Sequence, residues 1–253
     1  MTVASGCVAI VQGTSRGLGL ALVEALLERP DTDRVFATAR QPDRSVGLAT
    51  LQARHGTRLV CERLDVRDES SIVAAAARIG EAVPRVHWLV NCAGVLHGAD
   101  LRPEKRLEQV DSEQLRRSFE VNAFGPLLVA KHFLSLLHHD EAAVLANLSA
   151  RVGSIDDNRI GGWYGYRAAK AAQNMFTRTL AIELRRRAPN VTCVALHPGT
   201  VATDLSAPFR RGVAPQRVFA PREAAEKLID VMRSLGPEDS GSFLDWARKP
   251  IPW

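Results

Sequence analysis

Short, unbroken apolar runs alternate with longer stretches of helical periodicity from one end of this chain to the other, and that alternation limits its fold most. Cys7–Val11, Arg34–Ala39, Leu59–Arg63, Trp88–Val90, Ala143–Leu148, Val191–Leu196 and Ser242–Leu244 read as strands. Leu18–Leu27, Ser70–Ile79, Gly125–Leu137, Gly165–Arg187 and Pro221–Leu235 read as helices. Apolar runs without polar alternation belong to strands covered on both faces. Strands that take turns with helices form right-handed βαβ units, hence a parallel sheet. The pattern predicts an α/β chain with a doubly wound, seven-stranded parallel sheet and helices on both faces. No repeat, linker or low-complexity tract breaks it, so residues 1–253 are expected to form a single domain. Only Leu205–Phe219, rich in Pro, Arg and Gly, lacks periodicity, and it is expected to be a mobile loop at the sheet's carboxyl edge.

The first strand runs into Gln12-Gly13-Thr14-Ser15-Arg16-Gly17-Leu18-Gly19, and a helix follows at once. Glycines there let the backbone turn sharply and approach a pyrophosphate, while the helix start offers free N–H groups and a positive dipole. This is the phosphate cradle of a Rossmann fold, and it predicts a nicotinamide dinucleotide. Arg16 lies in the cradle and Arg40 ends the second strand. A carboxylate at that strand end pairs with a ribose 2′-hydroxyl, whereas arginine suits a 2′-phosphate in charge and in fork geometry. NADP(H) is therefore expected over NAD(H).

Tyr166 and Lys170 stand four apart on the long predicted helix, so they share a face with Cβ atoms about 5–6 Å apart. A tyrosine near its usual pKa of about 10 is a poor acid or base at neutral pH. A neighbouring ammonium stabilises the phenolate and is expected to lower that value. Tyr166 then donates a proton to a carbonyl oxygen or removes one from an alcohol. Tyr164 has no lysine in the same relation.

With these motifs in place, the chain resembles the short-chain dehydrogenase/reductase family over nearly its whole length. Asp65-Val66 resembles the pair that contacts adenine, Asn91-Cys92-Ala93-Gly94 the Asn-Asn-Ala-Gly motif, and Val121-Asn122 the buried asparagine of the fourth helix. Tyr166-Arg167-Ala168-Ala169-Lys170 matches Tyr-x-x-x-Lys, and Pro198-Gly199-Thr200-Val201-Ala202-Thr203 matches the segment that closes on the nicotinamide. The resemblance implies that Gly13, Ser15, Arg16, Gly17, Leu18, Gly19, Arg40, Asp65, Val66, Asn91, Ala93, Gly94, Tyr166, Lys170, Pro198, Gly199, Val201 and Thr203 bind cofactor. It also implies that Lys170 holds the nicotinamide ribose and that Asn122 organises a water relay. Gly165–Met175, Leu196–Gly199 and the tail Ser240–Trp246, ending Ile251-Pro252-Trp253, are most similar to the C-factor and sniffer-type carbonyl reductases.

Two positions depart from the family pattern. Gln12 replaces the usual threonine of the glycine motif, and the usual catalytic serine falls on Ala150 within Asn147-Leu148-Ser149-Ala150-Arg151. Neighbouring side chains of an extended chain point to opposite faces, so Ser149 needs a bulge to substitute. Ser149 is the first candidate for the missing hydroxyl and Ser154 the second. Loss of one oxyanion donor costs about 3 kcal/mol. Three functions stay open: an NADPH-dependent reductase of a ketone or aldehyde, a dinucleotide-binding sensor or signalling protein, and a scaffold dimer with a structural cofactor.

Charge and cysteine usage narrow the partners. The net charge is +5, but the basic residues are scattered apart from Arg185-Arg186-Arg187, so no nucleic-acid partner is expected. Cys7, Cys61, Cys92 and Cys193 form no CxxC pair and are expected to be buried, reduced thiols. The seven histidines show no metal spacing. Cys7–Val11 is too short to span a membrane and no leader pattern precedes it, so a cytoplasmic protein is expected. The partner is then a small carbonyl or alcohol, lined by Val95, Leu96, Trp163 and Phe209. A homodimer or homotetramer through the helix from Gly165 stays open beside a monomer.

Overall fold

The computed structural model describes residues 6–211 and 214–253. Seven parallel strands form the main sheet: β1 (Cys7–Gln12), β2 (Thr32–Ala39), β3 (Leu59–Arg63), β4 (Trp88–Asn91), β5 (Ala143–Leu148), β6 (Val191–His197) and, at the far edge, β9 (Phe243–Asp245). Their spatial order is β3-β2-β1-β4-β5-β6-β9. Every residue of β1, β5 and the first six of β6 is buried, as expected for strands covered on both sides. A separate ribbon pairs β7 (Thr200–Val201) with β8 (Val218–Phe219).

Helices cover both faces. One core packs α1 (Gly17–Leu27), α2 (Val46–His55) and α7 (Pro221–Ser234) on the sheet through Leu22, Leu26, Leu48, Leu228 and Met232. The other packs α3 (Glu69–Ala82), α5 (Gly125–Leu137) and α6 (Tyr164–Arg187) through Ile72, Ile79, Val129, Phe133, Ala181 and Leu184. The expected doubly wound architecture is therefore present, with boundaries within three residues of those read from the pattern. The periodicity missed α2 and α4 (Ser112–Phe119). The α2 helix buries only Leu48 and Leu51, and α4 buries only Ser118, so neither presents an apolar stripe to find.

The strand order reverses between β1 and β4, which opens a crevice at their carboxyl ends, the usual ligand position in such sheets. The loops after β1 and β4 meet there. Leu205–Phe219 is less irregular than expected. It carries 3₁₀ turns at Ala207–Phe209 and Pro215–Arg217, and β8 closes its far end; residues 212 and 213 lie outside the described segments.

Candidate active site

Gly13 opens the crevice at φ +90°, and a Cβ there would stand 2.6 Å from the Ala93 nitrogen. A Cβ on Gly19 would stand 2.1 Å from the Gly13 carbonyl oxygen. These two positions bring the β1 loop, the β4 loop and the start of α1 together, as no larger residue allows. Gly13 and Thr14 donate their N–H groups to Thr38 O at 2.9 and 3.1 Å. Ser45 donates to Ser15 O at 2.8 Å and accepts from Leu48 N, so it braces the cradle and caps α2. The α1 helix has no side-chain cap and no acid in its first turn, so its leading N–H groups face the crevice without a side-chain acceptor. A pyrophosphate fits such a terminus.

Ala93 and Thr203, two further expected cofactor residues, lie against this cradle. Gln12 Oε1 accepts from Ala93 N at 3.1 Å, so the glutamine that replaces the usual threonine ties the β1 end to the β4 loop. Asp65, half-buried, accepts from Arg67 N, and Val66 packs against Gly125 at the start of α5. Thr203 lies 3.3 Å from the Cβ position of Gly17, which brings the Pro198–Thr203 segment to the cradle. Arg40 is exposed at the end of β2. Arg16 lies 3.4 Å from Asp204, both well exposed, so the two arginines occupy different settings.

Beneath the crevice lies a row of buried amides. Asn91 and Asn147 face each other in register on β4 and β5. Asn91 Nδ2 donates to Asn147 Oδ1 at 2.8 Å, and Asn147 Nδ2 donates to Thr177 Oγ1 of α6 at 2.9 Å. Asn122 sits in a wide π turn, Glu120–Phe124, between α4 and α5. Its amide accepts from Val95 N at 2.9 Å and donates to Val95 O at 2.8 Å, which fixes the β4 loop.

The α6 helix starts from Trp163, held in the left-handed region at φ 54°. Trp163 packs edge-on to Phe209 at 4.7 Å and to Tyr166 at 6.3 Å, and Phe209 meets His97 at 5.6 Å. The expected apolar wall is therefore aromatic. Leu96 and Tyr166 line a small cavity with Glu104, whose buried carboxylate accepts from Gly165 N and whose carbonyl accepts from Trp163 N at 2.5 Å.

Tyr166 and Lys170 are both buried on α6, with Lys170 Nζ 5.9 Å from the Tyr166 ring centroid. Lys170 donates to Leu148 O at 2.7 Å and to Gln173 Oε1 at 2.9 Å. Burial pushes the Tyr166 phenol up to about 12 and the Lys170 ammonium down to about 8. The expected lowering of Tyr166 is thus overturned within the protein's own groups, because desolvation penalises both charged forms.

Neither candidate serine offers a free hydroxyl. Ser149 donates to Asn174 Oδ1 at 2.6 Å, and Ser154 reaches Trp253 O at 3.3 Å while accepting from Asp157 N. Ala150 continues in extended conformation at φ −143°, ψ 146°, so its Cβ points away from the side that Ser149 faces. As placed, the Ser149 hydroxyl is engaged by Asn174, so a catalytic role for it requires that bond to break. Gln173 and Asn174 were not singled out as site residues. Their spacing of three and four from Lys170 was the available signal.

The model of the short chain dehydrogenase family matches residues 7–214. The chain belongs to that family. It is an oxidoreductase of this type, similar over 98% of its length to all of the NADPH-bound carbonyl reductase from chicken fatty liver, at 31% identity and a TM-score of 0.87. The carbonyl reductase Sniffer of D. melanogaster is 27% identical over the same share of this chain and all of its own, with a TM-score of 0.86. C-signal of Myxococcus xanthus is 36% identical over 147 residues, 58% of this chain and 83% of that protein. All four thiols are free, although Cys61 and Cys92 are only half-buried. Among the described residues, no helix is long and apolar enough to cross a membrane.

Proposed function

We propose that this chain is an NADP(H)-dependent oxidoreductase that reduces a ketone or aldehyde, or oxidises the alcohol, with Tyr166 as the acid–base residue. The observation that carries this is the buried Tyr166–Lys170 pair, with Lys170 facing Cys92, next in sequence to the Ala93 that abuts Gly13 of the cradle. Gly13, Ser15, Gly17, Leu18 and Gly19 would hold the pyrophosphate, Arg16 and Arg40 the ribose phosphate, and Asp65 and Val66 the adenine. Asn91, Ala93, Gly94, Pro198, Gly199, Val201 and Thr203 would line the remainder, with Lys170 at the ribose. When bound, the nicotinamide supplies or accepts the hydride.

The protein's own work is the proton. Tyr166, pushed up to about 12, is fully protonated at neutral pH and is set to donate from Oη as a carbonyl oxygen gains charge. Lys170, near 8, keeps most of its charge at pH 7 and stabilises the phenolate left behind. Two of its three N–H groups are held by Leu148 O and Gln173 Oε1, leaving one for the site. Asn122 holds the β4 loop and would help to organise a water relay. The NADPH of the chicken enzyme supports the phosphate-bearing cofactor. A cytoplasmic location accords with four unpaired thiols.

Ala150 favours a second reading, a dinucleotide sensor with weak turnover, to which the similarity to C-signal adds weight. Titration with NADPH and NADH, followed by a consumption assay on a panel of small carbonyls, separates the two. NADPH binding with turnover is the expected result. Tight binding without turnover in either direction refutes the reductase and supports the sensor.

A further inference from the structure

We propose that Gln173 is a positioning residue that holds the Lys170 ammonium in place and sustains its charge. This rests on Tyr166 and Lys170 being the reacting pair, as proposed above. Gln173 is 1% exposed and lies three residues beyond Lys170 on the same face of α6. An ammonium only donates, so the 2.9 Å contact requires the amide oxygen, not its NH₂, to face Nζ. The helix around Gln173 is fixed in turn. Thr177 Oγ1 donates to the Gln173 carbonyl at 2.8 Å and accepts from Asn147, which accepts from Asn91. The setting of Lys170 is thus tied to the paired asparagines of β4 and β5.

A buried cation usually has a buried anion beside it. The titratable groups that face Lys170 are Tyr166 on its own helix and Cys92 from the β4 loop. Burial pushes both up to about 12, so both are neutral at pH 7. The charge is carried by two neutral acceptors, Leu148 O and Gln173 Oε1. Of these, only Gln173 is set by a side chain. Without it, Nζ keeps one acceptor in the same dry surroundings. A hydrogen bond to a charged group is strong enough that its loss moves the titration by about one to two pH units.

The test compares Gln173→Leu, which keeps the shape, with Gln173→Glu, which reverses the sign of the effect. The first readout needs no cofactor. Lysine labelled with ¹³C at Cε is titrated by NMR, and the Lys170 signal is assigned by its loss in Lys170→Met. The midpoint is expected near 8 in the unaltered protein. It should fall by about one to two pH units in Gln173→Leu and rise in Gln173→Glu. A packing defect does not move it in opposite directions. The second readout is the pH profile of kcat at saturating NADPH. Its high-pH limb should follow the midpoint, with the carbonyl KM within about twofold while kcat at neutral pH drops about two- to tenfold in Gln173→Leu. A midpoint and limb unchanged in both variants overturn the assignment. Undiminished turnover in Lys170→Met overturns the underlying reading instead, and the assignment of Gln173 falls with it.

Discussion

The pair Ser149 and Ala150 gives the sharpest test of how this site handles a developing oxyanion. In Ser149→Ala, the hydroxyl that donates to Asn174 Oδ1 at 2.6 Å is lost. Asn174 is 3% exposed, so its oxygen gains no water in exchange. An acceptor stranded in this way costs about 1–3 kcal/mol. For a domain of this size each kcal/mol lowers Tm by about 2–4 °C, so a drop of roughly 2–12 °C is expected. Turnover should stay within about twofold, because the hydroxyl points at α6. Ala150→Ser places a hydroxyl on the opposite side of the same extended segment. A preorganised oxyanion donor is worth up to about 3 kcal/mol, so kcat should rise by about 10- to 100-fold. Differential scanning fluorimetry and steady-state NADPH consumption on one carbonyl measure both effects. If Ser149→Ala instead removes turnover while Tm holds, Ser149 is the donor and the contact with Asn174 is not what fixes it. If Ala150→Ser leaves kcat unchanged, the reaction needs no hydroxyl at this edge.

Three further changes probe other parts of the site. Tyr166→Phe should lower kcat by at least about 100-fold and leave NADPH affinity within a few-fold, checked by fluorescence titration; retained turnover refutes the acid–base assignment. Arg40→Asp should swing the ratio of kcat/KM from NADPH towards NADH by about 10-fold or more, and an unchanged ratio defeats the argument from charge. His197 is pushed down to about 4 by burial, with Arg151 adding to the effect, and its Nδ1 has no partner among the described residues. Between the ordinary value near 6.5 and about 4 the unfolded chain binds the proton that the folded chain refuses. Stability is therefore full above pH 6.5 and declines as pH falls through that window, by about 3 kcal/mol at most. Urea unfolding at pH 7 and pH 4.5 should show this loss, and His197→Gln should remove most of it; an equal loss in the variant assigns the acid limb elsewhere.

The sheet was legible because its strands are buried on both faces, which leaves runs such as Cys7–Val11 and Val191–Leu196 without polar interruption. The cradle was legible because Gly13 and Gly19 answer a steric demand that only glycine meets. Orientation was not legible. Spacing alone puts Ser149 within reach of the site, and only the structure shows its hydroxyl committed to Asn174. The expected lowering of Tyr166 failed for a related reason. Spacing gives the neighbour, but burial decides the sign, and burial of the first turns of α6 was not evident in a helix with so many polar residues. Glu104 escaped notice altogether, since nothing in its surroundings in sequence marks a carboxylate that braces a helix some sixty residues later.

The buried face of α6 changes character along its length, and this explains both what was read and what was missed. Its far half, Ala181 and Leu184, joins the apolar core against the sheet. Its near half buries Tyr166, Lys170, Gln173, Asn174 and Thr177 where an amphipathic helix would place hydrocarbon. Burying these groups is unfavourable unless each finds a partner. The carboxyl end of β5 and the residue after it supply partners for three of them: Leu148 O meets Lys170, Ser149 meets Asn174, and Asn147 meets Thr177. Such strand ends are where a parallel sheet runs out of ladder partners and turns into loops, so polar groups are available there. The helix can hold an ammonium out of water beside a phenol only at this height of the sheet, which is also the height of the dinucleotide crevice between β1 and β4.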